Sequence, residues 1–217
     1  MKIKHFITAG LMCISSVAIC ANPPAPSRTM LAAAMGKYLA QQGDFCLGKV
    51  DWPIDVSALD IEMGTRDAVQ MPVLEKLGLV ASTDGSALRK QGEAEESESV
   101  EVKRYALTEA GKKFYLDKEI SSTTASGKRV VHHGDFCAGK LSLDKLVRWD
   151  KPTVVGEHTE TTITYTYKIA AAEWTRDPDA RKVFPMVDRI LKGEGSMQLQ
   201  QHFRLSGKSW IAVNPWE

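Results

Sequence analysis

The chain has few of the residues that mark a catalytic or nucleic-acid-binding protein, and the shortages come first. Cysteine occurs four times in 217 residues, at Cys13, Cys20, Cys46 and Cys137. No two lie within a short Cys-x-x-Cys spacing, so haem attachment and zinc-ribbon motifs are excluded. There is no excess of charge, with 28 basic against 27 acidic residues. A balance of that kind offers no general attraction for nucleic acid or anionic membrane. Gly-x-Ser-x-Gly elbows, phosphate loops and His-Glu-x-x-His patterns are missing, and with them the usual signs of hydrolase, nucleotide and metalloprotease chemistry. Beyond the first twenty residues no apolar run approaches the ~20 residues that a membrane helix requires.

What is present begins with residues 1–21, which read as a cleavable secretory signal. Lys2 and Lys4 form a positive start, an apolar stretch covers 6–19, and small residues close it. Cleavage is expected after Ala21 or Cys20. Lipidation at Cys20 is the rival fate, although Ile19 stands where that signal wants a small residue. Residues 22–28, with Pro23, Pro24 and Pro26, form a Pro-rich leader. The expected location is therefore the periplasm or the exterior. Removal of the signal takes away Cys13 and Cys20, and the remaining pair, Cys46 and Cys137, is expected to form a disulfide in an oxidising compartment.

The strongest pattern is an internal repeat. Gly43-Asp44-Phe45-Cys46-Leu47-Gly48-Lys49 returns as Gly134-Asp135-Phe136-Cys137-Ala138-Gly139-Lys140, with one position changed. Each copy leads into an alternating apolar segment, so the two look like equivalent strand starts drawn together at their cysteines. One reading places Lys49 and Lys140 beside a binding feature. The other assigns the glycines to close backbone approach, Phe45 and Phe136 to packing, and the cysteines to a cross-link.

Periodicity divides the rest. Met30, Leu31, Ala34, Met35, Tyr38 and Leu39 predict a helix over 29–42, with Ser27 or Thr29 as cap and Gly43 as stop. Residues 56–63 suit a short helix or a strand. A helix from Thr65 carries Val69, Val73, Leu74 and Leu77, followed by an extended start at Leu79 and Val80, a polar loop over 82–99, and a strand over 100–107. Thr108 is placed to cap a further helix. The blocks Leu74-Glu75-Lys76-Leu77-Gly78-Leu79-Val80 and Tyr105-Ala106-Leu107-Thr108-Glu109-Ala110-Gly111-Lys112 resemble the second half of a winged-helix module. In that family the first block ends the recognition helix, and the second closes the wing and starts a helix behind it. The resemblance implies a winged-helix-like part over 29–120.

That family usually binds DNA, but the presumed wing tip here holds Glu93, Glu95, Glu96, Glu98 and Glu101, where phosphate needs positive charge. The helix before it sets Arg66 and Lys76 against Asp67 and Glu75. The resemblance is accordingly read as structural, with no nucleic-acid partner. The acidic run reads more simply as a solvated loop than as a dock for a basic partner.

After a Ser, Thr and Gly linker over 121–128, the 129–217 part is expected to be a small antiparallel sheet packed with one helix. Strands are predicted over 129–133 and 136–149, with a clean alternation from Thr161 to Ile169. A helix over 177–191 contains Pro185 as a candidate break, and a hairpin turns at Ser206-Gly207-Lys208. The fold class is α+β. His133, Asp135 and Cys137 alternate, so a continuous strand would turn all three to one face, which makes His133 and Asp135 candidate metal ligands. The five tryptophans, at 52, 149, 174, 210 and 216, suit either a binding groove or ordinary core use, and Trp216 is the one expected to be exposed. The leading expectation is an exported, soluble, non-catalytic binding protein without cofactor, for an unknown protein or small-molecule ligand. The alternative is an exported hydrolase or metal-binding protein using His133 and Asp135. Oligomeric state is left open.

Overall fold

Ser27 starts the first helix by accepting the Met30 N–H on its side chain, and Gly43 closes it by donating to the Leu39 carbonyl. Between them α1 (Arg28–Gln42) buries Leu31, Met35 and Leu39, one side chain per turn along a single face. The computed structural model describes residues 25–90, 97–124 and 126–213. The signal segment, residues 22–24 of the leader, Glu93, Glu95, Glu96 and Trp216 lie outside the described residues.

From α1 the chain passes through β1 (Asp44–Cys46) and β2 (Ile54–Ser57) into α2 (Ala58–Glu62) and α3 (Arg66–Lys76). Residues 56–63 thus contain the end of a strand and a helix, with Ser57 and Asp60 making a reciprocal capping box where one becomes the other. A long hairpin follows, β3 (Val80–Lys90) and β4 (Ser97–Leu107), and then α4 (Glu109–Lys112), capped by Thr108. The expectation of a polar loop over 82–99 is overturned for 82–90 and 97–99, and residues 91–96 lie outside the described residues. Main-chain pairing runs from Val80↔Leu107 out to Lys90↔Ser97, carried by backbone hydrogen bonds that polar side chains do not interrupt.

Three short strands, β5 (Tyr115–Leu116), β6 (Ile120–Thr123) and β7 (Arg129–His132), precede the long β8 (Asp135–Trp149), β9 (Thr153–Val155) and β10 (His158–Ala171). β6 and β7 pair with each other, and the Ser, Thr and Gly stretch supplies the turn between them. A 3-10 turn at Glu173–Arg176 leads to α5 (Pro178–Val183), α6 (Pro185–Lys192) and the hairpin β11 (Leu199–Ser206) and β12 (Ser209–Val213). The single helix expected over 177–191 is divided at Phe184, whose φ of −117° and ψ of 69° are the extended-side values forced on a residue before proline.

The fold is mixed helix and antiparallel sheet. The main sheet has the order β1-β8-β10-β11-β12, with β5 added to β8 and β9 to β10. Register shifts near Thr164 and Thr166 curl the β8–β10 pair. A second sheet has the order β2-β4-β3. Two cores result. In one, Leu31, Met35 and Leu39 of α1 pack on Leu146, Ile163, Tyr165, Tyr167 and Phe203 of the main sheet. In the other, Met71, Leu74 and Tyr105 meet Phe136, Trp174, Phe184 and Val187. The helix lying along the main sheet is therefore α1, whereas α5 packs against α3. Each core draws residues from both sides of the 121–128 stretch.

Candidate functional site

The two repeats meet each other. β1 runs antiparallel to β8 with Asp44 opposite Lys140, Phe45 opposite Gly139 and Cys46 opposite Cys137. The last pair forms the disulfide, which joins residues 91 positions apart. Copy one thus lies along copy two in reverse, with a main-chain bond on either side of the sulfurs. The Leu47 N–H donates to the Phe136 carbonyl at 2.9 Å, and the Leu141 N–H donates to the Gly43 carbonyl at 2.7 Å. The Asp135 carboxylate accepts from the main-chain N–H of Gly48 at 2.9 Å and of Lys49 at 2.7 Å. Across the disulfide, Asp44 faces the Lys140 ammonium at 3.3 Å. Asp135 thus holds the main chain of the other copy, whereas Asp44 meets a lysine side chain of it.

The glycines make this approach possible. A Cβ on Gly43 would stand 2.4 Å from the Leu39 and Leu141 carbonyl oxygens, and one on Gly134 would enter the Tyr115 ring. Phe136 is fully buried among Trp52, Phe114 and Trp174, with ring centroids 5.7 to 6.3 Å away. Phe45 is half-buried against the same core.

The two lysines have different fates. Lys49 is 2 % exposed, and its ammonium pairs with the Asp67 carboxylate at the start of α3. Burial pushes the ammonium pKa down, and the hydrogen bond it donates to Asp67 works against that shift. The Trp52 indole N–H fixes the same residue by donating to its carbonyl at 2.9 Å. Lys49 consequently cannot flank a surface feature, while half of the Lys140 side chain reaches solvent.

The candidate metal ligands are not on one continuous strand. β7 ends at His132, His133 lies exposed in a bend, and β8 begins at Asp135. The expected common face of His133, Asp135 and Cys137 is corrected accordingly. The Asp135 carboxylate is occupied by two backbone N–H groups, and the Cys137 sulfur by Cys46. Among the described residues, no three His, Cys, Asp or Glu side chains stand together as a metal site.

A pocket of about 520 Å³ opens beside the disulfide, between the first repeat, α3 and the junction of α5 with α6. Phe45, Leu47, Val69, Phe184 and Met186 make it apolar, and Arg66 stands on its lining. Gln70 is its polar element. Its Nε2 donates to the Val183 carbonyl at 2.9 Å, which turns Oε1 the other way, and that buried oxygen has no hydrogen-bond partner among the described residues. Val69 and Met186 are 46 % and 55 % exposed, so an apolar lip surrounds the pocket. Sequence reasoning treated Val69 as one position of a core face and did not single out Gln70. A glutamine next to Met71 on the buried side of α3 was the available signal.

On the other side of the disulfide a recess of about 340 Å³ is lined by Asp44, Tyr115, Cys137 and Lys140. A larger groove of about 860 Å³ lies between α1 and β12. The tryptophans among the described residues do not line a common groove. Trp174 and Trp210 are buried in separate cores, and Trp149 carries the Arg28 guanidinium 5.4 Å above its ring.

Comparison with protein-family models, with characterised proteins and with solved structures returned no match. Among the described residues no helix is long and apolar enough to cross a membrane.

Proposed function

We propose that this is an exported, soluble, non-catalytic binding protein whose Cys46–Cys137 disulfide braces a pocket for a small apolar ligand carrying one N–H or O–H donor. The observation that carries the reading is the apolar pocket of about 520 Å³, in whose wall Gln70 holds a buried Oε1 without a partner among the described residues. Such a volume falls within the range of ligand sites, and an unpaired buried acceptor is costly unless something donates to it. Cys46 belongs to the pocket wall, so the cross-link holds one side of the site in place. The signal-like start and the disulfide both fit an oxidising compartment.

We further read β2, α2, α3, β3 and β4 as a winged-helix-like unit used structurally. The strand order β2-β4-β3 around two helices supports it. Against a DNA role, Lys76 on the second of these helices is paired with Asp179 at 2.7 Å, and Lys49 and Asp67 satisfy each other at its start. The first pairing offsets positive charge on that helix, and the second lysine is buried away from any phosphate.

The test uses N-phenyl-1-naphthylamine, an apolar fluorophore with one N–H. Saturable binding at one site, lost in Val69→Glu and Met186→Glu and weakened in Gln70→Leu, is the expected result. Absence of saturable binding, or a hydrolytic activity of the purified protein abolished by one substitution, would remove the reading.

A further inference from the structure

We propose that the outer edge of β12, with α1 beside it, receives an extended acidic segment of a partner protein as an added strand. This surface is separate from the pocket beside the disulfide. β12 is the terminal strand of the main sheet, and its inner side is fully used by β11, from Ser206↔Ser209 to His202↔Val213. The turn is two residues long, with Gly207 at φ 60°, so Ser206 and Ser209 form the hydrogen-bonded pair that closes it. In an antiparallel pair such residues alternate with residues whose N–H and C=O point away. The outward groups on β12 are therefore those of Trp210 and Ala212. Among the described residues no hydrogen bond reaches them from outside the sheet.

The open edge faces a groove rather than a flat surface. Its volume is about 860 Å³, with α1 as the opposite wall. Ala33 and Ala34 keep that wall low, while Met30 and Ile211 are 42 % and 46 % exposed and offer apolar contact. A helix facing a free strand is a geometry that accepts a peptide by main-chain pairing, with side-chain pockets setting preference.

Charge decides the kind of strand. Lys37 from α1 and Lys208 from the hairpin turn both line the groove, and none of the lining residues is acidic. A lysine at a strand edge also serves to discourage unwanted pairing. That role accounts for Lys208 and leaves Lys37, which stands on the helix, unexplained. A second copy is the poorer occupant, because edge-to-edge pairing of two β12 strands would gather Lys37 and Lys208 of both copies without a counter-charge.

Selection of a phage-displayed random heptapeptide library on the purified protein tests the proposal. The expected outcome is enrichment of peptides with Asp or Glu among alternating apolar residues, and binding of their synthetic versions should weaken with added salt. Ala212→Pro removes an outward N–H at an edge position where proline is tolerated, and should weaken binding about tenfold without moving the melting temperature. Lys37→Glu with Lys208→Glu should turn the selection toward basic peptides. Independently of any variant, the Trp210 and Ala212 amides should gain hydrogen-exchange protection when the selected peptide is added. No enrichment, enrichment of basic peptides, unchanged exchange at those two amides, or a protein that dimerises through β12 would each overturn the proposal.

Discussion

Asp135 holds the main chain of Lys49, accepting its N–H at 2.7 Å and that of Gly48 at 2.9 Å, from a position 7 % exposed. Asp44 occupies the same place in the other repeat, yet it meets a Lys140 whose side chain is 49 % exposed, at 3.3 Å. Identical residues in identical motifs thus do unequal work. Asp135→Ala leaves the buried Lys49 N–H without an acceptor and frees that of Gly48, and should cost about 3 kcal/mol. Asp44→Ala removes a screened ion pair and should cost less than about 1 kcal/mol. Urea unfolding of the two variants measures both, and equal losses would refute the asymmetry.

The disulfide closes a loop of 91 residues, and opening it frees the unfolded chain rather than dismantling the native pairing. The β1–β8 hydrogen bonds and the Asp135 anchor survive in Cys46→Ala with Cys137→Ala. The double variant should keep its circular dichroism spectrum and lose roughly 4 to 5 kcal/mol in denaturant, the loop-entropy value for that length. A reductant should produce the same loss in the natural protein and none in the variant.

Legibility from sequence followed burial. α1 could be read because Leu31, Met35 and Leu39 are all buried on one face, and β10 because Ile163, Tyr165 and Tyr167 alternate toward a core. The outer half of the β3–β4 hairpin gave no such signal. Asp84, Ser86 and Leu88 are not buried, Leu88 being 76 % exposed, so neither face carries an apolar stripe and only main-chain pairing holds the strands. The cysteine pair was legible by counting, and the repeat pointed to its surroundings. The inward turn of Lys49 was not, because Asp67 and Asp135 come to it from 18 and 86 residues away along the chain. Gln70 was hidden for a similar reason. Its orphaned oxygen depends on the Val183 carbonyl, 113 residues distant.

Two glycines at the first repeat and in the helix before it should respond oppositely to alanine. Gly36 lies inside α1, and a Cβ there would meet nothing within 4 Å. Gly36→Ala should stabilise by about 0.5 to 1 kcal/mol through helix propensity. Gly43→Ala drives a Cβ to 2.4 Å from two backbone oxygens, neither of which can turn aside. It should be strongly destabilising and should part the end of α1 from β8. Thermal melts of the two variants suffice as the measurement.

Asp55 and Arg104 clamp β2 to β4, with Nε and Nη2 donating to the two carboxylate oxygens at 2.8 and 2.7 Å. The guanidinium hydrogen bonds hold the Asp55 carboxyl below its ordinary 3.8, and partial burial only partly opposes them. A carboxylate with a lowered folded pKa contributes fully above the unfolded value and loses that contribution as pH falls through the folded one. Stability should therefore drop below about pH 4 in part because of this pair. Asp55→Asn should lose up to about 1 kcal/mol near neutral pH, as partly exposed pairs do, and show a shallower acid limb. An unchanged acid limb would remove the pair from the account.

At the alkaline end the tyrosines set the direction. Tyr38, Tyr105, Tyr115, Tyr165 and Tyr167 all have pKa values raised from 10.0, with burial as the main cause in each. Tyr165 is pushed furthest, to about 12, by burial and then by Tyr38 and Tyr167 beside it. An unfolded tyrosine releases its proton near 10.0, whereas the folded one keeps it, so above that pH the unfolded state binds fewer protons. Stability is then full below 10.0 and falls as pH climbs toward 12, the sign required by linkage. Tyr165→Phe keeps the ring in the core and should flatten that fall. Absorbance at a phenolate wavelength should show less ionisation in the native than in the unfolded protein at pH 10, and so a rise on unfolding at that pH. Ordinary titration of all five in the folded state would contradict the burial of Tyr165 and Tyr167 in the core they share with α1.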